Sequence, residues 1–359
     1  MQLTDNQYLL QLHQWFTQST QLQCTSNGQQ EQWPVREWIK SLAKANLLVA
    51  GWPAPYGDGE LRKQLHLHYR IARDAPGSLG LCITSHLDIG ARCLLEKASL
   101  HLAEQWLAPA LRGEAILALA MTEPQAGSDL QGIEFSAEKN EQGWSLTGVK
   151  RGITNLPFAD AVIVLARTAP GRSPFSYTLF LLPMDTPGVV REAALPTLAY
   201  PGCLGGMQVT NALIPEHNVL GSPGAGLILL MQHMATERLF VSARMRGISE
   251  MLLEKIQQHN VLLSNQLATL KTQCLAFNAY FEQCVESYIS QSFPARESAS
   301  LKYLGSRLLK TLCATLGELD GAAGYLAQGN AELYRREAMG LALAGGSEEI
   351  MLAIIGSEL

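Results

Sequence analysis

Apolar positions in the first part of the chain recur every three to four residues. Leu9, Leu10, Leu12 and Phe16 share one helical face, and Trp38, Ile39, Leu42 and Leu47 repeat the pattern, so helices are expected over both stretches. Residues 51–59, with two prolines and three glycines, read as a loop between helices. Helical texture continues over 79–95 and 102–111. From about Ala115 the pattern shortens to runs at 116–121, 133–139, 144–150, 161–168, 176–182, 188–192 and 207–214. Many are rich in β-branched or aromatic residues and bounded by turn signals, which predicts strands, with hairpins closed at 140–143 and 169–174. After Gly221-Ser222-Pro223-Gly224 long periodic segments return at 227–255, 261–290, 297–319 and 326–343, with Pro294 as the only proline. That predicts a bundle of long helices. The expected organisation is α+β and multidomain: an N-terminal helical domain over 1–114, a middle β-domain over 115–221 and a C-terminal helical bundle over 222–359.

Composition narrows the function classes. The chain has 359 residues and 47% apolar residues, enough for a large core and against disorder as the main state. Lys and Arg total 27 against 32 Asp and Glu, a net charge of −5, with no basic stripe, so no nucleic-acid partner is expected. Charged residues are 16%, below the roughly 25% of typical soluble domains, which is compatible with surface hidden in an oligomer. The seven cysteines, Cys24, Cys82, Cys93, Cys203, Cys274, Cys284 and Cys313, are odd in number and none pair at CxxC spacing. Neither a disulfide framework nor a zinc site is indicated, and buried free thiols in a reducing compartment are expected. The first residues lack a signal-peptide pattern and no apolar run approaches the ~18 residues of a membrane span, so a cytoplasmic protein with no membrane partner is expected.

One loop carries candidate chemistry. Met121-Thr122-Glu123-Pro124-Gln125-Ala126-Gly127-Ser128-Asp129 follows the first expected strand. Small residues there let backbone N–H groups approach a ligand, and Thr122 and Ser128 add hydroxyls. By spacing alone an ordinary strand-exit turn fits as well. Three further stretches bear on the choice: Gly148-Val149-Lys150-Arg151-Gly152-Ile153-Thr154-Asn155, Ile214-Pro215-Glu216-His217-Asn218-Val219-Leu220-Gly221, and Arg336-Glu337 followed by Gly345-Gly346-Ser347-Glu348-Glu349-Ile350. Together, in this order and across nearly the whole chain, the four resemble the motifs of the acyl-CoA dehydrogenase family. The resemblance implies a helical domain, a β-barrel-like middle domain and a C-terminal four-helix bundle. It also implies a bound FAD, held by Met121, Thr122, Gly127, Ser128, Ile153, Thr154, Ser347 and Glu349. The substrate it implies is an acyl thioester, contacted by Ser128, Arg238 and Gly345.

Family chemistry places a carboxylate to take the α-proton of the thioester while flavin N5 takes the β-hydrogen as hydride. An α-proton beside a thioester is weakly acidic, so a well-placed base and stabilisation of the developing enolate oxygen are both needed. Many members carry that carboxylate directly before the C-terminal Gly-Thr/Ser. Here the position is Gly345. The long-chain and isovaleryl-CoA dehydrogenases instead carry it on a bundle helix before an arginine, and Thr236-Glu237-Arg238 resembles that arrangement. Glu237 is therefore the expected catalytic base. Read locally, the same pair is an ordinary exposed Glu–Arg on a helix face. Arg238 either contacts substrate or braces its helix. Scattered histidines such as His66, His68, His86 and His233 read as structural or surface residues.

Three features depart from the family pattern. Gly152 stands where a tryptophan usually precedes Ile-Thr. Residues 256–261 join two helices where the family has an Arg-x-Phe-Gly stretch. Glu318-Leu319-Asp320-Gly321-Ala322-Ala323-Gly324 replaces a Gln-x-x-Gly-Gly-x-Gly, putting carboxylates near a pyrophosphate site. Two of these weaken contacts to a neighbouring subunit's FAD, so looser FAD retention or an altered oligomer is expected. The loop 200–206, with Cys203, falls near the family's substrate entrance and receives no role. The resulting expectation is FAD-dependent α,β-dehydrogenation in fatty acid metabolism, on a coenzyme A or carrier-protein thioester, in a homo-oligomer (dimer or tetramer) that passes electrons to a flavoprotein or oxygen. The alternatives are a flavin oxidase or monooxygenase of the same fold, and a non-catalytic subunit of a heteromeric dehydrogenase.

Overall fold

The computed structural model describes residues 5–18, 35–74, 79–195, 202–259, 264–326 and 329–357. Cys24, Tyr200, Pro201, Asn260 and Val261 lie outside these residues, as do the first residues of the helix expected from 261. The described chain forms two compact units, each assembled from separate stretches. Element type changes along the sequence where texture does, from helices to strands to helices, but the units cut across that division.

The first unit takes in α1 (Asp5–Gln18), the stretch 49–80 with α3 (Leu61–Asp74), and the chain from Met234 onward. Its bundle comprises most of α8 (Gly226–Gln258), then α9 (Ser264–Ile289), α10 (Ala295–Leu319), α11 (Asn330–Leu343) and α12 (Glu348–Gly356). α10 shows why the pattern folds this way. Its buried residues Ser298, Leu301, Lys302, Gly305, Ser306, Leu308, Leu309, Leu312, Cys313 and Leu316 advance by three or four, one stripe along one face. On α9 the stripe is Leu270, Cys274, Phe277, Phe281 and Cys284. These stripes meet α8 in one core with Phe240, Met245, Ile248 and Leu252, joined by Leu61 and Leu65 of α3. A Cβ on Gly305 would stand 2.7 Å from Met245 Sδ and 2.9 Å from Phe277 Cζ, so glycine is what permits that approach.

The expectation about apolar runs needs correction. Residues 331–356 contain an 18-residue window of mean hydropathy 1.5, long and apolar enough by composition for a span. The chain there is two helices, α11 and α12, separated by a turn in which Gly345 and Gly346 have φ of +69° and +106°. Such φ values interrupt the continuous helical hydrogen bonding that a spanning helix needs.

The second unit holds α2 (Val35–Lys44) and residues 81–233. Val35, Trp38, Ile39 and Leu42 form the buried face of α2, as their spacing predicts. Next come α4 (Leu79–Ile83), a π-helical segment Thr84–Ala91, α5 (Arg92–Lys97), α6 (Leu100–Leu102), a second π-helical segment Ala103–Leu107 and α7 (Ala108–Leu111). Every residue of Thr84–Ala91 is buried, so no amphipathic period marks it in the sequence. The strands are β1 (Leu117–Ala120), β2 (Ser136–Asn140), β3 (Gly143–Thr154), β4 (Ala161–Arg167), β5 (Tyr177–Pro183), β6 (Val189–Arg191), β7 (Leu204–Ile214) and the short β8 (Val219–Leu220). They form one sheet in the order β6-β7-β3-β2-β4-β5-β8. β1 runs parallel to β4 over Leu117–Ala120, beside the point where β2 meets β4 at Ser136 and Arg167. The β2–β3 hairpin closes with Asn140 opposite Gly143, and β4 and β5 pair across the 169–174 turn, both as the sequence implies. Inward residues of β1 to β5 and β7 share one core around Phe135, Trp144, Leu146, Val164, Phe180 and Val209, the barrel-like domain of the expectation.

His86 fastens a helix to this sheet. Its Nδ1 accepts from Leu117 N at 3.1 Å and its Nε2 donates to Ala110 O at 3.1 Å, as the neutral ring allows. Burial pushes its pKa down to about 4, outweighing the Ala110 carbonyl and Asp88, which raise it. The unfolded chain, with an ordinary histidine pKa of 6.5, then binds more protons than the folded one between pH 6.5 and 4. Stability therefore rises with pH across that window and is lost on acidification, by about 3 kcal/mol for this one group. The expected result is a melting temperature that falls from pH 6.5 to 4 and falls less steeply in His86→Gln. Parallel curves for the two proteins would remove His86 as the cause.

Candidate active site

The loop after β1 is fixed from beneath. Lys150, on β3, donates from Nζ to Met121 O at 2.8 Å and to Glu123 Oε1 at 2.8 Å. Thr122 Oγ1 donates to Arg151 O at 2.5 Å, and Arg151 N donates to Thr122 O at 3.1 Å. Met121 and Thr122 are half-buried, while Gly127 and Ser128 are exposed. A Cβ on Gly127 would meet nothing within 4 Å, and one on Gly152 only Thr122 Oγ1 at 3.6 Å. Open space thus lies over backbone at two points of the two stretches expected to hold the flavin. A flat, largely apolar ring with polar edges suits such a surface, so these residues fit FAD.

Gly152 sits at φ +74°, where the β3–β7 register shifts between Arg151 and Ile153. A tryptophan would be strained in that backbone conformation. Ile153 points into the sheet core, 2% exposed, leaving only its backbone to face a ligand. Thr154 is half-buried, and its carbonyl accepts from Ser85 Oγ at 3.4 Å. Asn155, at φ +70°, donates from Nδ2 to Cys82 O at 2.8 Å and Leu117 O at 3.0 Å, which anchors the end of β3.

In the first unit, Glu237 and Arg238 are 7% and 6% exposed, so neither is the ordinary surface residue that the local sequence also allows. Arg238 braces the α11–α12 turn, donating from Nε to Gly345 O at 3.1 Å and from Nη1 to Ser298 Oγ at 3.3 Å. Burial lowers its pKa, and Glu237 partly offsets this. Lys302 reaches the same turn, donating to Ala342 O at 2.9 Å and to Gly346 O. Its pKa falls to about 8, through burial first, while Glu237 pulls it upward. A Cβ on Gly345 would lie 3.7 Å from both Glu237 Cδ and Oε1. A side chain at 345 would thus begin in van der Waals contact with the Glu237 carboxyl.

The remaining expected residues have other partners. Ser347 Oγ caps α12, accepting from Ile350 N at 3.5 Å. Glu349 is exposed, its pKa held low by its own backbone N–H and the Ser347 hydroxyl. Glu348 binds Ser306 Oγ and Lys310 Nζ, the latter at 2.7 Å. Cys203 is buried, and its carbonyl accepts from Asn155 N at 2.8 Å. Two of the departures from the family pattern meet each other: His259 Nε2 lies 3.0 Å from Asp320 Oδ1, beside a cavity of about 280 Å³ that they line with Lys255, Gln258 and Leu316. The sequence reading assigned no role to Lys150, Glu123 or Lys302. A signal existed for the two lysines, since each falls in the inward phase of its element, with Trp144 and Leu146 on β3 and with Leu301 and Gly305 on α10.

Comparison with known proteins gives the family of the chain. Residues 118–211 match the family model of the acyl-CoA dehydrogenase middle domain and 224–359 that of the acyl-CoA dehydrogenase C-terminal domain, together well over half of the chain. Mitochondrial isovaleryl-CoA dehydrogenase of Pongo abelii is 28% identical over 346 residues, covering 90% of this chain and 80% of that protein. Mitochondrial long-chain specific acyl-CoA dehydrogenase of Sus scrofa is 29% identical over 69% of this chain, and the match spans 61% of that protein. Among solved structures, an acyl-CoA dehydrogenase from Geobacillus kaustophilus superposes with a TM-score of 0.89 at 21% identity, covering 99% of this chain and 98% of that one. The prolyl acyl carrier protein oxidase AnaB superposes at 0.87 and 22%, covering 99% of both. Fold and site thus define a flavoprotein oxidoreductase of the FAD-dependent kind. The chain belongs to the acyl-CoA dehydrogenase family.

Proposed function

We propose that this protein removes the α- and β-hydrogens of an acyl thioester, with Glu237 taking the α-proton. The observation that carries the reading is the 3.7 Å between the Glu237 carboxyl and the point where a Gly345 side chain would begin. A carboxylate can serve from either position because both deliver it to one place. FAD, when bound, supplies the two-electron acceptor for the β-hydrogen. Met121, Thr122, Gly127, Ser128 and the backbone of Ile153 and Thr154 would hold it.

The residues around Glu237 prepare the turn. Arg238 and Lys302 hold the carbonyls of Gly345 and Gly346 by charge-assisted hydrogen bonds. Among the described residues the Gly345 N–H donates to no backbone carbonyl in the turn, which leaves it to donate to a thioester oxygen as charge develops there. Two buried cations beside Glu237 favour that negative charge without any reorganisation during reaction. In this reading Arg238 acts on substrate by fixing the turn.

The test is anaerobic mixing of the FAD-loaded protein with a series of acyl-CoA thioesters and with the same acyl groups on a carrier protein. Loss of the oxidised flavin absorbance with an enoyl thioester as product is the expected result, and the faster carrier series identifies the substrate class. Reoxidation by oxygen within turnover would make the protein an oxidase, and slow reoxidation would point to a flavoprotein acceptor. A loaded protein unreduced by any thioester in either series would exclude the dehydrogenase reading and favour the non-catalytic subunit.

A further inference from the structure

We infer that Lys150 and Glu123 are a positioning pair that shapes the 121–128 loop for FAD before the cofactor arrives. This rests on the reading of that loop as a flavin site.

The pair is enclosed: the side chain of Lys150 is 0% exposed and that of Glu123 2%. Glu123 Oε1 accepts from Lys150 Nζ at 2.8 Å and Phe135 N at 3.0 Å. Its Oε2 accepts from Glu134 N at 2.7 Å and Gln125 Nε2 at 2.7 Å. Four donors use the carboxylate's hydrogen-bonding capacity fully. Lys150 adds the bond to Met121 O. One ion pair thereby ties together the end of β1, the loop, the start of β2 and the middle of β3.

Stability alone is a poor reason for such a pair, because buried ion pairs are often matched or bettered by apolar side chains of similar volume. What the pair does is fix from beneath a loop whose other holds are the Thr122–Arg151 bonds, the Glu123–Ala126 turn and the exposed ion pair of Arg172 with Asp129. Pro124, Gln125, Gly127, Ser128 and Asp129 are all exposed, and the space over Gly127 is open. A loop already held in one shape loses little conformational entropy on binding, so ligand affinity is retained. Burial also draws the Lys150 pKa down to about 8, against the upward pull of Glu123. The Phe135 ring centroid lies 5.2 Å from Nζ, and Glu123 is the ionisable group that acts on Lys150 among the described residues. Loss of the Lys150 proton on raising the pH would therefore weaken the hold on the loop.

The apo-protein is titrated with FAD, following flavin fluorescence, at pH 7 and at steps to pH 9.5. In parallel, the melting temperature of the apo-protein and hydrogen exchange over 121–135 are measured. Lys150→Met is expected to raise the Kd at least ~10-fold in protein that is folded at the assay temperature, with faster exchange confined to 121–135. The wild-type Kd is expected to rise as pH passes about 8, and that dependence to be absent in Lys150→Met. Gly127→Leu serves as the control for the site itself: the space at its Cβ is open, so the melting temperature should hold while FAD binding weakens. If Gly127→Leu binds FAD normally, the loop is not the flavin site. If Gly127→Leu is impaired but folded Lys150→Met binds FAD within ~2-fold of wild type, the pair is structural only and the inference fails. Should Lys150→Met not fold, Glu123→Gln is measured in its place, and a Kd within ~2-fold of wild type in that folded variant overturns the inference equally.

Discussion

Glu237→Gln is expected to keep the bound flavin spectrum of the wild type and to slow its reduction by an acyl thioester by at least ~10²–10⁴-fold, the span typical for loss of a general base. The substitution is nearly isosteric, so the buried site keeps its volume, and a neutral amide has no lone pair basic enough to take the α-proton. Arg238 and Lys302 still hold the Gly345–Gly346 turn through their carbonyl bonds, so substrate affinity should change far less than the rate. The measurement is stopped-flow bleaching under anaerobic conditions, with the Kd of the thioester determined separately. Bleaching at the wild-type rate would move the base to another carboxylate, and Glu348 and Glu349 would be tried next. Neither is well placed by its contacts, since Glu348 is engaged by Ser306 and Lys310 and Glu349 is exposed.

The second large effect is a gain. Glu237→Gly should be as inactive as Glu237→Gln, and adding Gly345→Glu should restore reduction to within ~10²-fold of wild type, the penalty expected for a catalytic group misplaced by about 1 Å. The atoms nearest a Cβ at Gly345 are Arg238 Cγ at 3.6 Å and the Glu237 carboxyl at 3.7 Å, ordinary van der Waals distances, and the latter is absent in the double variant. The cost is backbone strain, because Gly345 has φ +69°, a conformation that a non-glycine residue adopts at about 1–3 kcal/mol. That cost falls on stability and should appear as a lower melting temperature with restored chemistry. A double variant as inactive as Glu237→Gly, yet folded and loaded with FAD, would break the equivalence of the two positions.

Much of the architecture was legible from pattern. The period-three-to-four stripes of α9 and α10 and the Asn140–Gly143 hairpin are local features that one chain segment encodes by itself. The π-helical Thr84–Ala91 was not, because a segment buried on every side has no amphipathic phase to read. The site divides in the same way. The loop from Met121 to Asp129 is a contiguous motif and was found as one. Lys150 and Lys302 were passed over because a lysine reads as a surface residue unless its phase within a strand or helix is followed, and only their carbonyl and carboxylate partners reveal what they hold. Ile153 shows the complement: the motif singles out the residue, while the register of β3 turns its side chain into the core and leaves its backbone for a ligand.

The order of helices and strands, the loop of small residues beyond β1 and the absence of a carboxylate at Gly345 are facts of the sequence, fixed by which residues neighbour one another along the chain. That the Glu237 carboxyl lies 3.7 Å from where a Gly345 side chain would begin, and that Arg238 reaches across 107 positions to the Gly345 carbonyl, were decided only by tertiary structure. The physical reason is that proximity between groups far apart in sequence comes from interdigitated helix faces and a turn at positive φ. Local composition does not encode those distances.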